Sequence, residues 1–193
     1  MAQGTINVGN GITATRFPIY GPDYSLDFMG VVGNSSLSSP TGSTVYGGAL
    51  LSGTRYKIEF WAGPASATDF SGLTLITTMT FRTGSNPNLL PNGITVTMTL
   101  PVPGVLPDRQ AKLAVRVWDT TGATAYETAF PRGQGNLFLS APLGGVTPSI
   151  TLLPPNWVGE SFSLISPPFP SPEPSAFALT GISAAALLHR RRK

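Results

Sequence analysis

Three stretches of this chain alternate apolar and polar side chains with a period of two, and that repeat narrows the fold more than any other feature. In Thr54–Trp61, Tyr56, Ile58 and Phe60 fall on one side and Arg55, Lys57 and Glu59 on the other. In Gly93–Leu100, Ile94, Val96, Met98 and Leu100 alternate with Thr95, Thr97 and Thr99. In Ala111–Trp118 the apolar set is Leu113, Val115 and Val117. Successive side chains of a strand point to opposite faces, so each stretch reads as an antiparallel strand with a core side and a wet side. Weaker strands are expected near 4–8, 24–32, 73–82, 124–130, 136–140 and 149–153.

Turn formers separate these segments at short intervals, among them Gly47-Gly48, Gly63-Pro64, Asn92-Gly93, Pro103-Gly104, Thr121-Gly122 and Gly144-Gly145. Many short strands between Gly/Pro turns argue for an all-β fold, a single antiparallel β-sandwich of Ig-like or jelly-roll kind over residues 1–153. No helical period or fixed-length repeat interrupts it. Residues 154–174 hold seven prolines and read as a semi-rigid linker. Within it, Trp157 and the Ser161–Ile165 patch have the composition to add a last strand or dock on the sandwich. Residues 175–193 read as a short C-terminal hydrophobic helix with a basic tail.

Charge and chemistry are both sparse. Of 12 Lys+Arg, four close the chain at 190–193, and of 9 Asp+Glu one is Glu173, so the body is balanced. Its cations are scattered from Arg16 to Arg132 without a basic stripe, which argues against a nucleic-acid partner. Charged residues make up 11% of the chain while Gly (22) and Pro (19) abound, a composition of secreted β-proteins rather than of cytosolic enzymes. Cysteine is absent and the one histidine, His189, lies in the tail. A body so composed has no disulfide, no Cys nucleophile, no Ser-His-Asp triad and no His-ligated zinc. The expectation is a non-enzyme with no metal and no cofactor.

Carboxylates are the remaining route to catalysis, and glycoside hydrolysis needs two facing each other about 5–10 Å apart. Asp23 and Asp27 are the nearest pair in sequence, while Asp108 and Asp119 bracket one strand at opposite ends. Loop aspartates more often form turns by bonding nearby amides. Trp61 and Trp118 each end a strong strand on the parity of its charged residues. One reading makes them an exposed aromatic platform for sugar rings, as in a carbohydrate-binding module contacting extracellular polysaccharide. The other has a bulge flipping the parity, or the rings capping the end of the sandwich. The Ser/Thr-rich run from Asn34 to Thr44 reads either as a solvated loop or as a set of O-glycosylation acceptors.

The C-terminus is organised differently. Pro172 and Pro174 fix φ and hold Glu173 in extended backbone, presenting its carboxylate at low conformational cost. Ala176 to Leu188 is an uninterrupted small-and-apolar run, and Arg190, Arg191, Arg192 and Lys193 follow as a stop that favours the cytoplasmic side. As a helix the run spans roughly 20 Å against a hydrocarbon core of about 30 Å, so arginines snorkel or the membrane thins. The order of Pro172-Glu173-Pro174-Ser175, apolar run and basic end resembles the PEP-CTERM sorting signal of Gram-negative bacteria that make extracellular polysaccharide. The resemblance covers residues 171–193. It implies recognition by an exosortase, a membrane-embedded cysteine transpeptidase, with Pro172, Glu173 and Pro174 as the recognition motif. It further implies an exported protein held in the inner membrane in transit and then released to the cell surface or extracellular matrix, as in a biofilm. The opening Met1-Ala-Gln-Gly lacks a basic and an apolar leader region, so Met1 is expected to stand where a secretory signal was removed or the start misassigned.

Overall fold

A computed structural model of the chain describes residues 2–12, 15–25, 29–83, 93–146 and 151–166. The linker residues from 167 onward, the Pro172-Glu173-Pro174 motif, the apolar run and the basic end lie outside the described residues, as does Asp27. The described residues form thirteen strands. The first seven are β1 (Gly4–Val8), β2 (Gly11–Ile12), β3 (Thr15–Arg16), β4 (Ile19–Tyr20), β5 (Tyr56–Pro64), β6 (Thr74–Thr80) and β7 (Met98–Val102). Then follow β8 (Ala111–Asp119), β9 (Arg132–Gln134), β10 (Phe138–Leu139), β11 (Gly145–Val146), β12 (Thr151–Leu152) and β13 (Phe162–Ser163). Among the described residues the only helical pieces are two single 3-10 turns, Phe70–Gly72 and Tyr126–Thr128. The described part of the chain is all-β and predominantly antiparallel.

Its main sheet has five strands in the order β10-β8-β5-β6, with β9 also pairing β8. The two strongest alternating segments are its centre: Ile58 pairs with Val117 and Phe60 with Val115. Ile58, Phe60, Leu113 and Val117 are fully buried on one face of this sheet. Against that face lie Ile6 and Val8 of β1, Val102 of β7, and Phe17, Ile19, Trp157, Phe162 and Leu164. β1 and β7 form their own antiparallel pair. Trp157 meets Phe60 edge-on, ring centroids 5.1 Å apart, a preferred aromatic geometry.

Three expectations change here. First, of the two readings of residues 154–165, a spacer or a last strand docked on the body, the second is the one seen, and the boundary at 153 moves. Trp157, Ser161, Phe162 and Leu164 are fully or almost fully buried. β13 pairs in parallel with β4, and Ile165 bridges Arg132 of β9, tying the small sheet to the main one. The folded body therefore runs past residue 153 to about Ile165, because the three large apolar side chains Trp157, Phe162 and Leu164 offset the ordering cost of a Pro-rich segment.

Second, the 93–100 stretch does not keep its alternation. Only β7 from Met98 is strand, Ile94 and Thr95 are both buried, and Val96 and Met98 are exposed. The cause is Asn10, fully buried, whose Nδ2 donates to Gly93 O at 2.6 Å and to Phe17 O at 3.1 Å, while Thr95 N donates to its Oδ1 at 2.7 Å. A side chain replaces a ladder partner and pins the segment. Gly93 allows the crossing: its φ is +91°, and an added Cβ would meet Ile19 backbone at 3.1 Å. Third, of the weaker expected strands, 124–130 holds the 3-10 turn at Tyr126–Thr128, and the described part of 24–32 contributes only a bridge from Val32 to Phe162.

The Asn34–Thr44 run is also not simply solvated. Tyr20 Oη, Ser35 Oγ, Ser38 Oγ and Ser161 Oγ form a buried hydroxyl chain with steps of 2.8, 3.2 and 2.8 Å. Buried hydroxyls joined in this way are satisfied rather than costly. Tyr46 stacks on Tyr20, ring centroids 4.0 Å apart, and burial pushes its phenol well above the usual range.

Candidate functional site

The outer face of the main sheet collects the side chains singled out above. Trp61 and Trp118 do share the parity of the charged residues, as the register of β5 against β8 requires. The one register shift near Phe60/Trp61 is against β6, so it leaves that parity intact. Exposure is where the platform expectation fails. Trp118 is only 3% exposed and Trp61 is half-buried.

Glu59 explains part of this. It lies between the two indoles, and its carboxylate oxygens accept from Trp61 Nε1 at 2.9 Å and Trp118 Nε1 at 3.2 Å. Lys57 Nζ sits 5.4 Å from the Trp118 ring centroid. Arg116, opposite Glu59, supplies the rest. Its guanidinium lies 3.9 Å from the Phe70 ring centroid, 4.7 Å from Tyr126 and 5.3 Å from Trp61. Its Nη1 also pairs with Glu127 at 3.1 Å. Phe70 and Tyr126 come from the two 3-10 turns, which are thereby folded over the sheet. Asp69 caps the first by accepting from Ser71 N at 2.8 Å.

Electrostatically the face closes on itself. Burial pushes the Tyr126 phenol up against the opposing pull of Arg116 and Arg132. Both acids on the face, Glu59 and Glu127, are committed to indole and guanidinium partners, so the arrangement does not present the two facing, free carboxylates that glycoside hydrolysis needs.

The remaining sequence candidates scatter. Asp23 and Asp69 form turns, each accepting from the serine two residues on, and those hydrogen bonds hold their carboxyls below the usual range. Asp108 and Asp119 stay at opposite ends of β8. Burial disfavours ionised Asp119, but Arg55 at 2.7 Å and the Thr121 amide outweigh it and keep its carboxyl low. Among the described residues no group of three His, Cys, Asp or Glu is placed to hold a metal ion, and no helix is long and apolar enough to cross a membrane. A cleft of about 570 Å³ opens at the β7–β8 turn, and its polar residues Asp108, Arg109 and Gln110 stand in solvent.

Residues that sequence reasoning passed over are Phe70, Arg116, Tyr126, Phe130 and Arg132. The available signal was a cation, Arg116, set between Val115 and Val117 in the middle of the Ala111–Trp118 run. No family model, curated protein or solved structure matches this chain.

Proposed function

We propose that this chain is an exported surface or extracellular-matrix protein, anchored in transit by its C-terminal tail and processed there by an exosortase-type transpeptidase. One observation carries the reading: Pro172-Glu173-Pro174, the apolar run to Leu188 and the basic end Arg190, Arg191, Arg192 and Lys193 occur in that order in residues 171–193. The body takes a structural or adhesive role rather than an enzymatic one. Its lack of Cys and His before residue 189 supports this, as does the commitment of its outer-face acids to internal partners. We read its architecture as a β-sandwich, the five-stranded sheet forming one layer and β1, β7 and the segments around Phe17 and Trp157 the other. A sugar platform built from Trp61 and Trp118 is not part of this proposal, since Trp118 is buried.

The test is intact mass and cell fractionation in the native host, for the natural chain and Glu173→Ala. The expected result is a natural chain cut near the Pro-Glu-Pro and recovered at the surface or in the matrix, with the variant retained uncut in the membrane. Equal processing of both would overturn recognition through Glu173.

A further inference from the structure

At the rim of the outer face a second arginine is held in a different way. Arg132 begins β9, and its backbone N–H and C=O both bond Ile165, at 3.1 and 2.8 Å. Its guanidinium carbon lies 4.8 Å from the Phe130 ring centroid and 5.3 Å from that of Tyr126. Nη1 donates to the carbonyls of Tyr126, at 3.0 Å, and Glu127. The plane of the group is thus fixed by two rings and two carbonyls. Yet Nε and Nη2 meet no acceptor, and no carboxylate pairs with Arg132, among the described residues. Glu127, the nearest acid in sequence, is spent on Arg116.

Arg132 also lines a cleft of about 430 Å³, together with Val32, Tyr126, Gln134, Ser163 and Ile165. That size lies within the range of small-molecule sites. The lining combines a pre-oriented cation with unspent donors, an exposed carboxamide at Gln134, an aromatic ring, and apolar patches at Val32 and Ile165. A fixed guanidinium fork matches a carboxylate and loses little freedom on binding it. The ring and apolar patches suit the C–H face of a pyranose, and Gln134 suits its hydroxyls.

We propose that this cleft binds the carboxylate-bearing sugar units of an acidic polysaccharide, with Arg132 reading the uronate carboxylate and Gln134 a ring hydroxyl. The site is independent of the sorting tail and of Trp61 and Trp118, so it stands or falls apart from the function proposed above.

The experiment is calorimetric titration of the full chain with a galacturonic acid oligosaccharide, a neutral galactose oligosaccharide of equal length, and acetate. The uronate oligomer should bind, the neutral one about tenfold or more weaker, and acetate should not displace the uronate at matched concentration. Arg132→Lys keeps the charge but loses the stacked fork, and should weaken uronate binding by about tenfold. Arg132 also braces the Tyr126–Thr128 turn, so Gln134→Ala, at an exposed position, is the second variant. It should weaken binding severalfold with an unchanged unfolding midpoint. Absence of uronate binding, equal binding of the neutral oligomer, or full affinity in both variants would overturn the proposal. Displacement of the uronate oligomer by acetate at matched concentration would reduce the site to a bare anion hole and overturn its sugar specificity.

Discussion

The guanidinium of Arg116 lies 3.9 Å from the centroid of the Phe70 ring, and through that contact a loop 46 residues away in sequence is folded onto the main sheet. Tyr126 closes on the same cation from the loop after β8. Arg116 therefore acts as a post around which both 3-10 turns are wrapped.

Replacing Arg116 removes three ring contacts and the Glu127 pair together. Individual cation–π contacts are worth about 0.5–2 kcal/mol, so Arg116→Ala is expected to cost about 2–3 kcal/mol in urea unfolding. Arg116→Lys should recover less than about half of this, because an ammonium cannot stack flat on Phe70. A loss below about 0.5 kcal/mol, the usual scatter of surface substitutions, would mean that the turns hold without the post.

Glu59 is the common acceptor of two indoles, one of them buried, which makes its removal a distinct experiment. Glu59→Ala leaves Trp118 Nε1 without its acceptor and should cost about 1–3 kcal/mol. Combining it with Trp118→Phe should cost less than the sum of the two single changes, by about 1 kcal/mol. Strict additivity in the double-mutant cycle would show that the Glu59–Trp118 bond contributes nothing.

The parts of the fold that could be read ahead were those governed by local pattern. Tyr56–Pro64 and Ala111–Asp119 became the sheet centre because their period of two matches a one-sided core. The parity of Trp61 and Trp118 was equally legible. Their surroundings were not: Trp61 is met by Phe70, which tertiary contact with Arg116 places, and Trp118 by Glu59 and Lys57 of the neighbouring strand. The 93–100 alternation failed for a related reason: Asn10, more than 80 residues earlier, bonds Gly93 and Thr95 and holds them off the ladder. Prolines 154 and 155 suggested a spacer while Trp157 and the Ser161–Ile165 patch suggested docking, and Trp157, Phe162 and Leu164 do fill the core. In a segment this short, position in the core outweighs composition, and only the assembled sheet reveals that position.

Acid should weaken the fold, and Asp119 is one identifiable cause. Burial alone would raise its carboxyl, but Arg55 and the Thr121 amide bring it below the ordinary value. A group whose folded pKa is depressed contributes stability above its unfolded pKa and loses it as pH falls through the folded value. The unfolding midpoint should therefore drop from about pH 4 downward. Asp119→Asn should flatten part of that slope. Asp23 and Asp69, lowered by their serine hydrogen bonds, titrate in the same direction and leave a residual dependence. Identical acid profiles for the natural chain and Asp119→Asn would rule out the Arg55 pair as a contributor. Arg55 is 60% exposed, so added salt should also shrink the difference between the two.

Where the folded body ends is a question of stability. A chain stopped after Leu153 lacks Trp157, Phe162 and Leu164, and it also loses the β13 pairing to β4 and the Ile165 bridge to β9. Removing one fully buried Trp or Phe side chain typically costs about 3–5 kcal/mol, and a domain of this size has only about 5–15 kcal/mol of stability in total. A chain of residues 1–166 is expected to unfold cooperatively, and one of residues 1–153 to show no cooperative transition. Trp157→Ala in the longer chain should lower stability by about 3–5 kcal/mol. A cooperative transition in the 1–153 chain at the midpoint of the longer one would return residues 154–165 to the role of a spacer. Loss of the transition only in the shorter chain would make Trp157 and β13 part of the folded body.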